Sequence, residues 1–284
     1  MKLAVRHLFS FALLALLFVP GMVFAHQPIV VDSNSIQVVD PEISKAYYGQ
    51  LAGQSHVYSI ESAEPFELYV GVLVPDRPGQ KKDVSAVVFE VGKESAPIAV
   101  LDASSFAWQP MYEQFGADNY FAGPEFKKEV PAGSYQIRVF SGGNDSRYSL
   151  AVGELESFPP SVIVNSLIVI PQLKRDFFAS SPFTFLKSPF GIAYVVLMFV
   201  LAFIVGFVYR FIIKKLAKNT NRKSAHNIGK NDRLLRALLG VGLLLGGIYT
   251  WSPILLFFAG FCFFQVIFSW CGFYAALGKN TCPV

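Results

Sequence analysis

Charge is what this chain has least of. Only 15% of its 284 residues are Asp, Glu, Lys or Arg, against about 25% in an ordinary soluble domain. Together with 53% apolar residues and a mean hydropathy of +0.43, that scarcity excludes a disordered chain or a nucleic-acid-binding protein. Acid is missing above all from the end of the chain: residues 189–284 hold ten Lys/Arg and one acid, Asp232. Residues 26–188 are the reverse, with 12 Lys/Arg against 19 Asp/Glu, a net charge of −7. Two parts so different are built for different surroundings. Cysteine is scarce too. Cys262, Cys271 and Cys282 all fall in the last 23 residues, so no disulfide staples residues 26–188. At roughly 130 residues the exported part is long enough to rely on its own core. A Ser/His/Asp set, paired catalytic carboxylates, a phosphate-cradling glycine loop and a zinc motif are also missing. The expectation is a non-enzyme with no cofactor and no metal.

What is there begins with an export signal. Lys2 and Arg6 form a basic start, Leu8–Val19 is a short apolar run, and Pro20-Gly21 breaks it. Val23-Phe24-Ala25 then places small residues at the cleavage positions, so 1–25 reads as a signal peptide and His26 as the first mature residue.

Residues 26–158 read as an exported all-β domain. Phe66, Leu68, Val70, Val72 and Val74 alternate with Glu67, Tyr69, Gly71 and Leu73 before Pro75-Asp76-Arg77-Pro78-Gly79 stops the run. Ser55–Ile60, Val84–Val91 and Tyr135–Val139 alternate similarly, and Gly142-Gly143-Asn144-Asp145 turns the chain into Tyr148, Leu150 and Val152. Period two with such turns predicts an antiparallel, jelly-roll-like β-sandwich. The segment Pro131–Val139 followed by Tyr148–Gly153 resembles the bacterial pre-peptidase C-terminal-type domain, a small secreted sandwich; the same residues also read as a generic Pro-Gly turn feeding a hairpin. The resemblance implies no catalytic residue.

Residues 159–188 are expected to be an interfacial linker, with Phe177, Phe178, Phe183 and Phe185 dipping into lipid headgroups, or a last strand plus linker. Pro189 to Tyr209 is 21 residues without a charge. At about 1.5 Å per residue it matches a bilayer core, giving a first transmembrane helix over 189–213. Nine bases between Arg210 and Arg236 mark the cytoplasmic side, around a basic loop at 214–226. Leu234–Tyr249 and Ile254–Leu277, parted by Thr250-Trp251-Ser252-Pro253, predict a helical hairpin with Trp251 at the outer interface. The protein is thus expected in the inner membrane with three spans and a periplasmic or extracellular domain.

Asn227-Ile228-Gly229-Lys230-Asn231-Asp232-Arg233-Leu234-Leu235-Arg236 enters a helix carrying Gly240, Gly242, Gly246 and Gly247. A second helix exits through Cys271 and Leu277-Gly278-Lys279-Asn280-Thr281-Cys282. The pattern over 227–284 resembles the YgaP-like two-helix transmembrane domain found attached to membrane-bound rhodaneses. The chain lacks the cytoplasmic rhodanese of that family, so persulfide transfer does not carry over. Cys271 and Cys282 match the family's motif positions, which implies a thiol, persulfide or metal role as the alternative function; a bond between them requires the tail to fold back at Gly278. Asn231 or Asp232 is expected to cap the helix. Gly242 and Gly246 form a GxxxG step, suited to a homodimer or to packing within the hairpin.

The exported part offers one loop. Trp108–Phe126 mixes Trp108, Tyr112, Phe115, Tyr120, Phe121 and Phe126 with Glu113, Asp118 and Glu125, without strand or helix period. It is the candidate binding loop, with Trp108, Tyr112, Asp118 and Tyr120 foremost; its aromatics alternatively cap the core. His26, as a mature N-terminus, is a copper ligand only if His56 joins it. His226 lies in the basic linker and Cys262 in mid-helix. The net negative charge disfavours anionic partners and leaves cations, sugars and proteins. A membrane-anchored binding, sensing or assembly protein is the expected function, with lipid bilayer, a second copy and an unknown protein or small ligand as partners.

Overall fold

The computed structural model describes residues 26–216 and 226–282; the expected signal peptide and most of the basic loop lie outside them. The chain divides into two compact units, one through Thr184 and one from Phe185 onward.

The first unit is a β-sandwich of eleven strands. One sheet has the order β1-β3-β11-β5-β9-β8, the other β2-β4-β10-β6-β7. The strands are β1 (Gln27–Val30), β2 (Ser35–Val38), β3 (Lys45–Gln50), β4 (His56–Ser62), β5 (Phe66–Pro75) and β6 (Ser85–Glu90). They continue as β7 (Ala99–Leu101), β8 (Gln109–Glu113), β9 (Asp118–Val130), β10 (Gly133–Phe140) and β11 (Arg147–Val152). The alternation in β5 is obeyed: Phe66, Leu68, Val70, Val72 and Val74 are buried in the core between the sheets, with Tyr58, Ile137 and Tyr148.

Two expectations need correction. The sheets are mixed, because β1 runs parallel to β3 and β2 parallel to β4. The first four strands alternate between sheets, and two crossings restore the original direction, so next-but-one strands pair parallel. Nor do β10 and β11 form a hairpin. The glycine turn carries the chain from one sheet to the other, where β11 pairs with β3 and β5.

Residues 108–126 also differ from an irregular loop. They form most of a hairpin, with β8 antiparallel to β9 and Glu113 opposite Asp118 across a four-residue turn, Gln114–Ala117. The period was masked because β9 carries an extra residue at Gly123-Pro124, where the pairing slips between Gly71 and Leu73.

The expected interfacial linker folds onto the sandwich as helix α1 (Pro160–Asp176), started by Pro160 at its first turn. Phe177 and Phe178 are buried in a cluster with Tyr48, Tyr120 and Leu173 rather than set free for headgroups. The sequence reading missed this because the contacts come from β3 and β9, far away in the chain.

The second unit is helical: α2 (Pro189–Leu216), α3 (Lys230–Thr250), α4 (Pro253–Phe268) and the short α5 (Gly272–Leu277). By length and composition, Pro189–Lys215 and Lys230–Thr250 suffice to cross a membrane, and Pro253–Phe268 is a shorter apolar helix. The apolar run 254–277 is therefore not one helix. Ser269 takes a left-handed conformation that ends α4, and its N–H donates to the Gln265 carbonyl. Ser252 caps α4 through the Leu255 N–H. Trp251, expected at the interface, is buried against Phe185 and Tyr194. The core of this unit is aromatic: Phe264 and Trp270 pack with Phe203, Phe207 and Tyr209 of α2.

Candidate ligand-binding site

The outer face of the six-stranded sheet carries a trough. Read across five strands, Pro28 pairs with Ala46, Ala46 with Ala151, Ala151 with Gly71, and Gly71 with Glu125. The next row on the same face is Tyr48, Ser149, Leu73 and Ala122. Small side chains in register leave a depression that larger ones would fill. The β8–β9 turn and Ile170 and Leu173 of α1 close over it, giving a cavity of about 380 Å³. That volume lies in the range of small-molecule pockets, about 300–1,000 Å³.

A buried ion pair fixes the roof. Lys174 of α1, fully buried, donates to Asp118 Oδ1 at 2.8 Å and to the Ala117 carbonyl at 3.3 Å. Burial pushes the Asp118 carboxyl above its ordinary value, against the pull of Lys174. Ala117 itself is left-handed, φ +57°, a conformation that costs a non-glycine residue roughly 1–2 kcal/mol. Glu113 turns its carboxylate back on the same turn and accepts the N–H groups of Phe115 and Gly116 at 2.5 and 2.6 Å. Burial raises it to about 7, opposed by those two hydrogen bonds; Asp118 adds to the rise and Lys174 opposes it. An added Cβ at Gly116 would lie 2.7 Å from Asp118 Oδ2 and 3.0 Å from Glu113 Oε2, so glycine lets both carboxylates share the turn.

Tyrosines supply the walls. The Tyr48 and Tyr120 hydroxyls are 2.9 Å apart, and Tyr69 donates to Glu125 at 3.1 Å. His26 also lines the cavity, its Nδ1 bonded to Ser44 and its ring held towards the neutral form by burial.

Of the loop residues singled out by sequence, Tyr112, Asp118 and Tyr120 line this cavity. Trp108 does not: it packs against the sandwich core, over Gly123, and donates to the Ala103 carbonyl. Phe121 and Phe126 join it at the core. Glu113, Phe115 and Glu125 of the same stretch line the cavity as well. Sequence reasoning missed Tyr48, Tyr69 and Lys174; only the outward set of β5 carried a signal, through Tyr69 and Gly71. His26 precedes β1 of one sheet, whereas His56 opens β4 of the other. His56 is buried on the inner side, its Nδ1 bonded to the Tyr148 hydroxyl, which also meets Tyr58. Among the described residues, no group of three or more His, Cys, Asp or Glu is placed to hold a metal ion.

In the helical unit the motif residues form a clasp. Asn227 donates from Nδ2 to the Cys271 carbonyl and accepts the Cys271 N–H on Oδ1. Thr281 returns its N–H to the Asn227 carbonyl, and its hydroxyl accepts the Gly229 N–H and donates to Asp232. The chain does fold back at Gly278, in a left-handed conformation, yet all three cysteines are free thiols. Cys271 is buried, Cys262 lies where α4 meets Gly240, and Cys282 borders a basic recess with His226 and Arg233. Neither Asn231 nor Asp232 caps α3; the cap position is Gly229, while Asp232 accepts from Arg236, which also donates to Gln265. Gly240 and Gly247 contact α4, whereas Gly242 meets open space and Gly246 only the end of Leu255.

Residues 224–284 match the family model described as the inner membrane protein YgaP-like transmembrane domain. Among solved structures, the chain is similar to the pre-peptidase C-terminal domain of a collagenase from Bacillus anthracis. The identity is 11%, covering 45% of this chain and 95% of that one, with a TM-score of 0.26. It is also similar to CorA, a surface-associated copper-binding protein of Methylomicrobium album BG8. There the identity is 8%, covering 44% and 98%, with a TM-score of 0.23. Scores this low carry no argument about function. A comparison with curated proteins finds no match.

Proposed function

We propose that this membrane protein is a binding or sensing receptor: its YgaP-like helical unit anchors it, and its β-sandwich faces outward and takes a small ligand. The trough beneath the β8–β9 turn carries the reading. A sheet face that presents Ala46, Ala151, Ser149, Gly71 and Ala122 across four strands, roofed by a turn pinned through a fully buried lysine, serves packing poorly and enclosure well. Ten bases against one acid from residue 189 onward support an inward placement of the loop between α2 and α3, and so an outward sandwich. A homodimer through α3 belongs to the same reading, since Gly242 is left open on its surface and Gly246 meets only the end of Leu255. The thiol-handling alternative has no comparable support, with Cys271 buried and its backbone tied to Asn227.

The test uses the full chain in lipid nanodiscs and a panel of small cations, neutral sugars and carboxylic acids. At least one should raise the melting temperature of the sandwich in proportion to the logarithm of its excess over Kd. Ala122→Phe, which fills the trough, should remove the shift without unfolding the domain. Stabilisation that survives the filled trough sinks the proposal.

A further inference from the structure

Given that the trough is a binding site, the reading on which the ligand class rests, the chemistry of its lining narrows that ligand further. The lining contains Glu113, Asp118 and Glu125 but no Lys or Arg. Asp118 is answered by Lys174; among the described residues neither Glu113 nor Glu125 has an ion-pair partner. Glu113 holds its two backbone donors on separate oxygens. A carboxylate offers about four lone-pair sites, so acceptor capacity remains and its direction is already set. Tyr48, Tyr69 and Tyr120 line the same space, and aromatic faces attract a cation most strongly where water is displaced. The floor of Ala46, Ala151 and Gly71 provides apolar contact for carbon. A bare metal ion is a poor match, because no metal-competent cluster occurs among the described residues. An anion meets two carboxyl groups that form no ion pair and accept only backbone N–H or tyrosine hydrogen bonds. A neutral molecule uses the walls but not the charge.

We infer that the trough binds a small organic cation, an ammonium or quaternary ammonium head on a compact carbon body. Its charge lies towards Glu113 and Glu125 and its carbon lies among the tyrosines and the small-residue floor.

Matched probes of one shape and different charge decide this with the full chain in nanodiscs. Choline is compared with 3,3-dimethylbutanol, and 2-phenylethylamine with 2-phenylethanol and phenylacetate, by calorimetry and thermal shift. At least one cation should bind about tenfold or more tightly than its neutral partner. That preference should shrink in Glu113→Gln and in Glu125→Gln, the latter an exposed position whose change leaves the fold intact. Phenylacetate should not bind. If a neutral or anionic probe binds as well as its cation and Ala122→Phe abolishes it, the trough is a site but the cation class is wrong. If the cation's preference is unmoved by both Gln variants, the carboxylates do not read its charge and the inference fails. If no probe binds at millimolar concentration, the cation assignment and the binding-site reading fall together.

Discussion

Lys174 is the residue on which the sandwich and its added helix depend. In the sequence it belongs to a charged run, Lys174-Arg175-Asp176; in the fold it is fully buried on Asp118. Breaking a buried pair from one side strands a charge, at a cost of about 3–5 kcal/mol. Lys174→Met and Asp118→Asn should each destabilise the sandwich by that order, while the double variant recovers a large part. Native-state hydrogen exchange of β9 measures it. Glu113 makes a different prediction, about pH. Its folded value of about 7 lies above its ordinary 4.5, so the fold holds a proton that the unfolded chain releases. Its contribution is full below pH 4.5 and is lost as pH rises through 7, a fall of about 3 kcal/mol. His56, pushed down by burial, acts in the opposite sense: its contribution is complete above 6.5 and lost on acidification. In Glu113→Gln the fall in stability between pH 5 and 8, read from denaturation curves, should therefore disappear, leaving the rise that His56 contributes.

Among the elements, α3 shows how glycines of one helix differ in role. A Cβ at Gly247 would meet Leu256 at 2.8 Å, whereas one at Gly242 meets nothing. Gly247→Leu should overpack the α3–α4 contact and cost about 1–3 kcal/mol, read as a lower melting temperature in detergent. Gly242→Leu should leave that temperature unchanged and, if α3 pairs with a second copy, abolish chemical cross-linking between chains. The GxxxG spacing pointed to Gly242 and Gly246, but close approach within the hairpin uses Gly240 and Gly247 instead. A helix has one face for each partner, and spacing alone does not say which face meets which. The last apolar run teaches the same at its end. Composition is continuous from Ile254 to Leu277, yet Ser269-Trp270-Cys271 leaves the helix, and Asn227 takes up the Cys271 N–H and carbonyl thus released.

For the whole molecule, charge predicts how the chain crosses the membrane. Reporter fusions after Phe158 and after Asn221 should give opposite sides, the first outside. Equal signals from both would mean that α2 does not cross. The expected export signal at 1–25 is tested by deleting those residues from the first fusion, which should then lose its outside signal.

Periodicity, apolar run length and charge bias are properties of neighbours in the chain, and every feature that depends on them alone is legible in the order of residues. These features are the buried set of β5, the all-β character of the first unit, the apolar helices of the second and the hairpin turn before Pro253. The glycine and asparagine clasp was legible as a motif, though not as a clasp. Register between distant strands is a property of the folded chain, and the trough depends on it. It needs Pro28, Ala46, Ala151, Gly71 and Glu125 in one row, and no local pattern records that five small or polar residues from five strands will lie side by side. The fold also turns Tyr120 to the cavity and Trp108 to the core, because the extra residue at Gly123-Pro124 offsets β9. And it buries Lys174 out of the charged run Lys174-Arg175-Asp176, which no local pattern foretells, because the partner that makes its burial tolerable, Asp118, lies 56 residues away in the chain.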